Sequence, residues 1–304
     1  MDLKFIAAVL WGICAAGLGA YAASIARQIT YVTLADGRRQ ARSLPLLFRL
    51  LMPLTPNFRP LFAKAVFQGI KKKLERKIVA SGFEGLITPD EFLSIRVLVP
   101  VLLGLFFWIP FVRLAIASAQ GTVIEKIGPA LHVFGLVWLY AYPALWLRRA
   151  LQTRHAGIQR SLPFILDLLT LSVEAGLDFM TALQRNIERR TLDALGEELL
   201  RVVREIQLGK TRREALRDMS RRVNLAELRS VVNALVQADE LGVSIGAILR
   251  IQSDQMRQRR FERAEKLANE APVKMLFPLI FFIFPAVFLI LMGPIVNKLI
   301  VHGF

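Results

Sequence analysis

Apolar positions along this chain follow two regimes. In the first they form unbroken runs of the length that a helix needs to cross about 30 Å of hydrocarbon, roughly 20 residues. Four such runs are predicted as transmembrane helices, at 5–26, 97–117, 127–147 and 275–296. In the second regime, from 161 to 270, apolar residues recur at helical spacing with charged residues between them. One face carries Leu192, Leu195, Leu199, Val202 and Ile206, and another carries Leu225, Leu228, Val231, Val232 and Leu235. That spacing predicts amphipathic helices that share a core. Six are expected, near 161–175, 178–190, 193–208, 211–222, 225–241 and 244–270.

The breaks between these helices repeat. "EAGLDFMTAL", "QLGKTRREAL" and "ELGVSIGAIL" align on Gly176, Gly209 and Gly242, each thirty-three residues after the last. Two positions beyond each glycine stands Asp178, Thr211 or Ser244. Glycine accepts the left-handed conformation that closes a helix, and Asp, Thr and Ser oxygens accept N–H groups from the next helix's first turn. Thr211 and Glu214 add the reciprocal T-x-x-E capping box. The predicted unit is a 33-residue helix–turn–helix, repeated three times in an antiparallel six-helix bundle. Connections this short pair neighbours antiparallel; a 33-residue period also suggests a helical solenoid, but three units without the usual repeat consensus, running directly into a membrane span, favour one compact bundle.

Gly209-Lys210-Thr211 also resembles the end of a phosphate-binding loop. That motif requires a glycine at 204, where Arg204 stands, and a strand leading in, where a helical pattern stands. The tripeptide therefore reads as a turn, with Thr211 as a cap and Lys210 as a solvated turn residue. No cofactor site is expected.

Composition and charge then set the compartment. The 304 residues are 54% hydrophobic with net charge +16, and mean hydropathy is +0.45. This fits a membrane protein with basic parts on one side of the bilayer. Segment 27–96 carries thirteen Lys/Arg against five acids, and 148–274 carries twenty-three against seventeen, while the 118–126 and C-terminal connections hold almost none. Both basic segments are thus assigned to the cytoplasm and both termini to the periplasm. A cleavable leader ending at Ala20-Tyr21-Ala22 fits this charge placement less well than an uncleaved first span. Trp138, Tyr140, Tyr142 and Trp146 suit an interfacial aromatic girdle. The domain order is a span at 5–26, a basic cytoplasmic segment at 27–96, spans at 97–117 and 127–147, a cytoplasmic bundle at 148–274 and a span at 275–296. The fold class is an all-α membrane protein.

Cys14 has no disulfide partner, and His132, His155 and His302 lack ligand spacing. No nucleophile–base constellation appears, so neither metal nor catalytic residues are expected. The excess of bases over acids in 148–274 is modest, which speaks against nucleic acid. A transporter or channel is the competing class, but only His132 lies within a span, with Arg113 near the end of another.

The run "LDLLTLSVEAGLDFMTAL", with "IQLGKTRREALRDMSRRV" and "VNALVQADELGVSIGAILRIQSDQM" through "PVKMLFPLIFFIFPAVFLILMGP", closely resembles the F domain of type II secretion systems. It is most similar to the version in inner-membrane proteins of the tight-adherence (Tad) pilus, from about 160 to 296. "KKLERKIVASGFEGLITPDEFLSIR" (72–96) is similar to the pre-membrane segment of those proteins, and the wording leans to the second of their two related platform proteins. The resemblance implies a multi-pass protein of the bacterial inner membrane. It would work with a cytoplasmic hexameric ATPase, pilin subunits, membrane lipids and a paralogous F-domain protein, in a homo- or hetero-oligomer. ATP would be bound by the partner. Arg212, Arg213, Arg217, Arg221 and Arg222 would then face either the ATPase or anionic lipid. Glu174 and Glu240 would be interface acids or plain helix-end residues.

Overall fold

The computed structural model describes residues 17, 31–33, 39–41, 44–58, 62, 67–104, 108–110, 112–113, 123–188 and 193–302. The expected first span at 5–26 lies outside these apart from Gly17, as does much of 105–122. The described residues are helical except for one antiparallel ribbon, β1 (Tyr31–Thr33) with β2 (Arg39–Ala41), in which Tyr31 faces Ala41 and Thr33 faces Arg39. Two strands of three residues leave the all-α class standing. Tyr-Val-Thr is a strand-forming triplet.

The helices are α1 (Leu46–Leu51), running into a 3₁₀ turn (Met52–Phe58), then α2 (Gln68–Ser81), α3 (Pro89–Leu103) and α4 (Val123–Glu174). There follow α5 (Phe179–Glu188), α6 (Ala194–Gln207), α7 (Arg212–Val223), α8 (Ala226–Leu241), α9 (Ile245–Pro278) and α10 (Phe284–His302). Among the described residues two helices are long and apolar enough to cross a membrane, within Ala130–Glu174 and Ile245–Ile295. Each also continues past its apolar stretch into the helical core, so neither 147/148 nor 274/275 is a break in the chain's helical path.

Two hydrophobic cores share α4 as a spine. The larger gathers Ile158, Leu162, Leu166 and Leu169 of α4 with Leu183, Leu195, Val202, Met219, Leu228, Val232 and Leu249, one or more from each of α5 to α9. The i, i+4, i+8, i+11 recurrence on α4 places that face inward. Leu192, expected on the same face as Leu195, lies outside the described residues. Beyond Met256 no residue of α9, or of the helical run that continues it as far as Ile295, is buried, so the second half of α9 leaves the core as a bare rod.

The smaller core was not foreseen. Phe48 and Leu51 of α1, Ile78 of α2, Phe92, Ile95, Leu98 and Val99 of α3 and Leu147 of α4 pack together. Helix α3 starts from a capping box, Thr88 with Glu91. The expected boundary at 96/97 therefore falls inside one helix, and Leu98 and Val99, placed in the expected second span, are buried in protein. Trp146, assigned to the aromatic girdle, lies between Phe48 and Phe83, with ring centroids 4.6 and 5.0 Å away. Trp138, Tyr140 and Tyr142 are exposed, and the Arg96 guanidinium sits 4.2 Å above the Tyr140 ring. At Gly135 a side chain would collide with Trp108, and at Gly104 with Leu136. Small residues here let α3's continuation lie close against α4, as membrane helices commonly do.

Between α9 and α10 the helix widens into a π turn at Leu279–Ile283. Pro278 and Pro285 flank it. Proline lacks an N–H and its ring collides with the carbonyl four residues back, and one wider turn absorbs that conflict without ending the helix.

Candidate partner interface

The three glycine turns are built alike. Gly176, Gly209 and Gly242 have φ of 91°, 100° and 67°. Just beyond each, a backbone N–H closes the Schellman loop: Leu177 donates to the Ser172 carbonyl at 3.1 Å, Lys210 to Glu205 at 3.0 Å and Val243 to Ala238 at 3.0 Å. A Cβ at any of the three would meet nothing within 4 Å, so glycine is required by conformation and not by space.

Caps differ between the copies. An Asp178 carboxylate oxygen accepts the Met180 N–H at 2.9 Å. Thr211 accepts the Glu214 N–H at 3.3 Å, and Glu214 accepts the Thr211 N–H at 3.4 Å. Ser244 occupies the cap position, but its side chain takes no N–H. Its ψ is 118°, against 149° at Thr211. The expected cap at Ser244 is thus absent.

Helices α4, α6 and α8 run away from the apolar stretches, and α5, α7 and α9 return. All three turns consequently meet at one end of the larger core. From Leu147 to Glu174 is 27 residues, about 40 Å of helix, which separates this end from the apolar stretch of α4. Ion pairs tie the turns to one another. Arg250 reaches Glu174 at 2.8 Å, Arg217 reaches Glu240 at 2.7 Å, and Arg213 reaches Asp239 at 3.5 Å and Glu240 at 3.9 Å. Arg212 pairs with Asp239 and lies 5.6 Å from the Phe179 ring centroid. Glu174 and Glu240 therefore act as partners of arginines from neighbouring helices, beyond a helix-end role. Within this ring of charge two apolar side chains stand in the open, Leu208 (76% exposed) and Leu241 (77% exposed), each one residue before its glycine.

Lys210 corrects the picture of a solvated turn residue. It donates to Asp218 at 3.0 Å and to Glu205 at 3.2 Å, and the Asp218 bond, followed by that to Glu205, raises its pKa. A lysine held between two carboxylates is a poor seat for a phosphate.

Arg222 departs furthest from its expected role as an exposed base. Its side chain is 13% exposed, with Nε donating to Glu198 at 3.2 Å and Nη1 to Glu205 at 2.7 Å. Arg154 of α4, 9% exposed, holds Glu197 at 2.8 Å and the other oxygen of Glu198 at 3.0 Å. Arg201 bonds Glu205 at 3.3 Å and, across to the turn after α2, Glu84 at 2.6 Å. Burial lowers the Arg201 pKa, but the bond to Glu84 and the charges of Glu84, Glu198 and Glu205 outweigh it, leaving a net rise. Alternating charges thus run from Glu84 through Arg201 and Glu205 to Lys210 and Asp218, with Arg154, Glu198 and Arg222 as a branch. Sequence reading missed this network because Glu198, Arg201 and Glu205 look like an ordinary charged helix face. Their i, i+3 and i+7 spacing was the available signal. Arg221, by contrast, is 79% exposed and only 3.5 Å from Asp218.

Among the described residues no group of three or more His, Cys, Asp or Glu is arranged to hold a metal. The arrangement offers charged and apolar surface at the turn end, and a stiff connection from there to the apolar stretches. In comparison with known families, residues 165–293 match the family described as Type II secretion system (T2SS), protein F. The match runs from mid-α4 into α10 and includes all three turns. No curated protein and no solved structure matches the chain. Proteins of this family are inner-membrane platforms of secretion and pilus-assembly machines, associating with secretion ATPases and other platform proteins, and are not enzymes. Residues 165–293 of this chain are an F domain of the type II secretion system protein F family.

Proposed function

We propose that this chain is an inner-membrane platform protein of a tight-adherence pilus, coupling a cytoplasmic hexameric ATPase to pilin extraction and fibre assembly. The observation that carries the reading is that α4 and α9 are the first and last helices of the F-domain core, and that α4 itself and the unbroken helical run from α9 through the π turn into α10 hold the two candidate spans. A displacement applied at the turn end would pass into the bilayer along two continuous helices with no loop between. In this reading the chain crosses the membrane four times with both termini in the periplasm. The six helices from the second half of α4 to the first half of α9 form its cytoplasmic bundle, and a paralogous F-domain protein supplies a second one. The turn end meets the ATPase through Arg213, Arg217, Glu240 and the exposed Leu208 and Leu241, with Arg212 and Glu174 bracing them. Arg221 lies on another part of the bundle and Arg222 is internal, so neither belongs to this contact.

Photo-cross-linkers placed one at a time at Leu208, Arg213, Leu241 and Arg221 of the full-length protein test the docking. Adducts with the cognate ATPase from the first three positions and not from Arg221 support it. Adducts only from Arg221, or from none of the four, overturn it.

A further inference from the structure

The bases of this protein divide by location. At the turn end nearly every one has a carboxylate: Lys210, Arg212, Arg213, Arg217, Arg250 and Arg257 are all paired. At the opposite end of the F domain the smaller core carries α2, whose Lys72, Lys73, Arg76 and Lys77 are all exposed. None of these four has an ion-pair partner among the described residues, and neither do exposed Arg148 and Arg149 of α4. The first base of the lysine run, Lys71, is already taken by Asp90 at 2.5 Å. Glu75 is the single acid on α2.

Placement identifies what such a surface meets. Ile78 of α2 is packed in one cluster with Leu147, the residue before Arg148, and with Leu98 and Val99 near the end of α3. Helix α2 is therefore fixed beside the point where the apolar stretch of α4 gives way to charge. Ile70, half exposed, lies on the same stripe as Lys73 and Lys77, at i+3 and i+7. Six bases without an ion-pair partner among the described residues, with an apolar side chain on the same stripe of α2, match phosphodiester headgroups over acyl chains.

We infer that α2, with Arg148 and Arg149, forms a collar that binds the headgroups of anionic phospholipids and holds the smaller core against the bilayer. This rests on the membrane placement proposed above and not on ATPase docking. Each base near an anionic leaflet contributes about 1 kcal/mol, or about fivefold in binding. Removing several should therefore abolish headgroup selectivity while the internal ion pairs stay intact.

The test uses full-length protein in nanodiscs of phosphatidylcholine alone or with phosphatidylglycerol, reading amide hydrogen exchange over residues 68–81. Slower exchange in the anionic discs is expected, with the difference lost in K72Q/K73Q/R76Q/K77Q and kept in R213Q/R217Q. Should the quadruple variant misfold, two further readouts decide. K72Q/K73Q must lose a large part of the difference, and about 1 M salt, where screening acts within about 3 Å, must erase it in the wild type. Equal exchange in both lipids, or a difference that survives the substitutions or the salt, overturns the inference. So does protection by polyglutamate where phosphatidylglycerol gives none, since the collar would then serve an acidic polypeptide. Failure to enter nanodiscs would instead overturn the membrane placement itself.

Discussion

Replacing Arg222 tests whether the internal charge network holds α6 and α7 together. Arg222→Met keeps most of the aliphatic stem while deleting the guanidinium that serves Glu198 and Glu205. Removing one partner of a buried pair costs about 3–5 kcal/mol when the other charge is left alone. Here neither glutamate is abandoned. Glu198 keeps Arg154 at 3.0 Å, and Glu205 keeps Arg201 at 3.3 Å and Lys210 at 3.2 Å. The expected loss is therefore smaller, about 2–3 kcal/mol, equivalent to about 30- to 160-fold faster exchange of α6 and α7 amides that open locally. Arg221→Met, next along the chain, removes an exposed contact at 3.5 Å and should cost at most about 0.5 kcal/mol. Hydrogen exchange on the full-length protein reads both. Glu198→Gln with Glu205→Gln in the Arg222→Met background should deepen the loss and not recover it, because Arg154, Arg201 and Lys210 then lose carboxylates that they still hold. Exchange within twofold of wild type for Arg222→Met, or equal effects at 221 and 222, would show that the network adds nothing to the fold.

Three further outcomes follow from the turns. Gly209→Ala should cost about 1–2 kcal/mol, since φ is 100° and a Cβ meets no neighbour that could offset or worsen the strain; an unchanged thermal midpoint would contradict this. Thr211→Ala should cost about 1 kcal/mol through loss of its capping box, whereas Ser244→Ala, with no cap bond to lose, should be nearly neutral. Equal midpoint shifts for the two would refute the distinction. Lys210 has a raised folded-state pKa, so its stabilising contribution is fully present below the ordinary lysine value of about 10.4 and disappears as pH rises through the raised value. Exchange across 205–218 should accelerate in that alkaline window in the wild type, and Lys210→Met should remove that part of the pH dependence.

What could be read from the chain beforehand was whatever depends on neighbours in sequence. A left-handed glycine, a capping threonine and a charged–apolar alternation are local requirements, and the positive φ at Gly176, Gly209 and Gly242 follows from them. Burial is a different kind of property. The apolar run from Val97 looks the same whether lipid or protein receives it, and only the meeting with Phe48 and Ile78 puts Leu98 and Val99 inside. Thr88-Pro89-Asp90-Glu91 did carry a readable helix start, but a window that averages hydropathy passes over it. Charge suffers the same loss on averaging. In 148–274 the bases exceed the acids by only six, twenty-three against seventeen, which looks too weak to attract anything. Yet the acids are spent unevenly. Asp167, Glu174, Asp218, Asp239 and Glu240 neutralise bases at or near the turns, and Glu197, Glu198 and Glu205 neutralise those inside. Among the described residues Arg148 and Arg149 are left without any, beside an α2 that brings four more bases likewise without an ion-pair partner from a different segment. A small net excess therefore becomes a concentrated one, because pairing removes charge where acids stand and leaves it where they do not. The position of that residue of charge, next to the apolar stretch of α4, is set by the core that Ile78 and Leu147 share and by nothing in the local sequence of either.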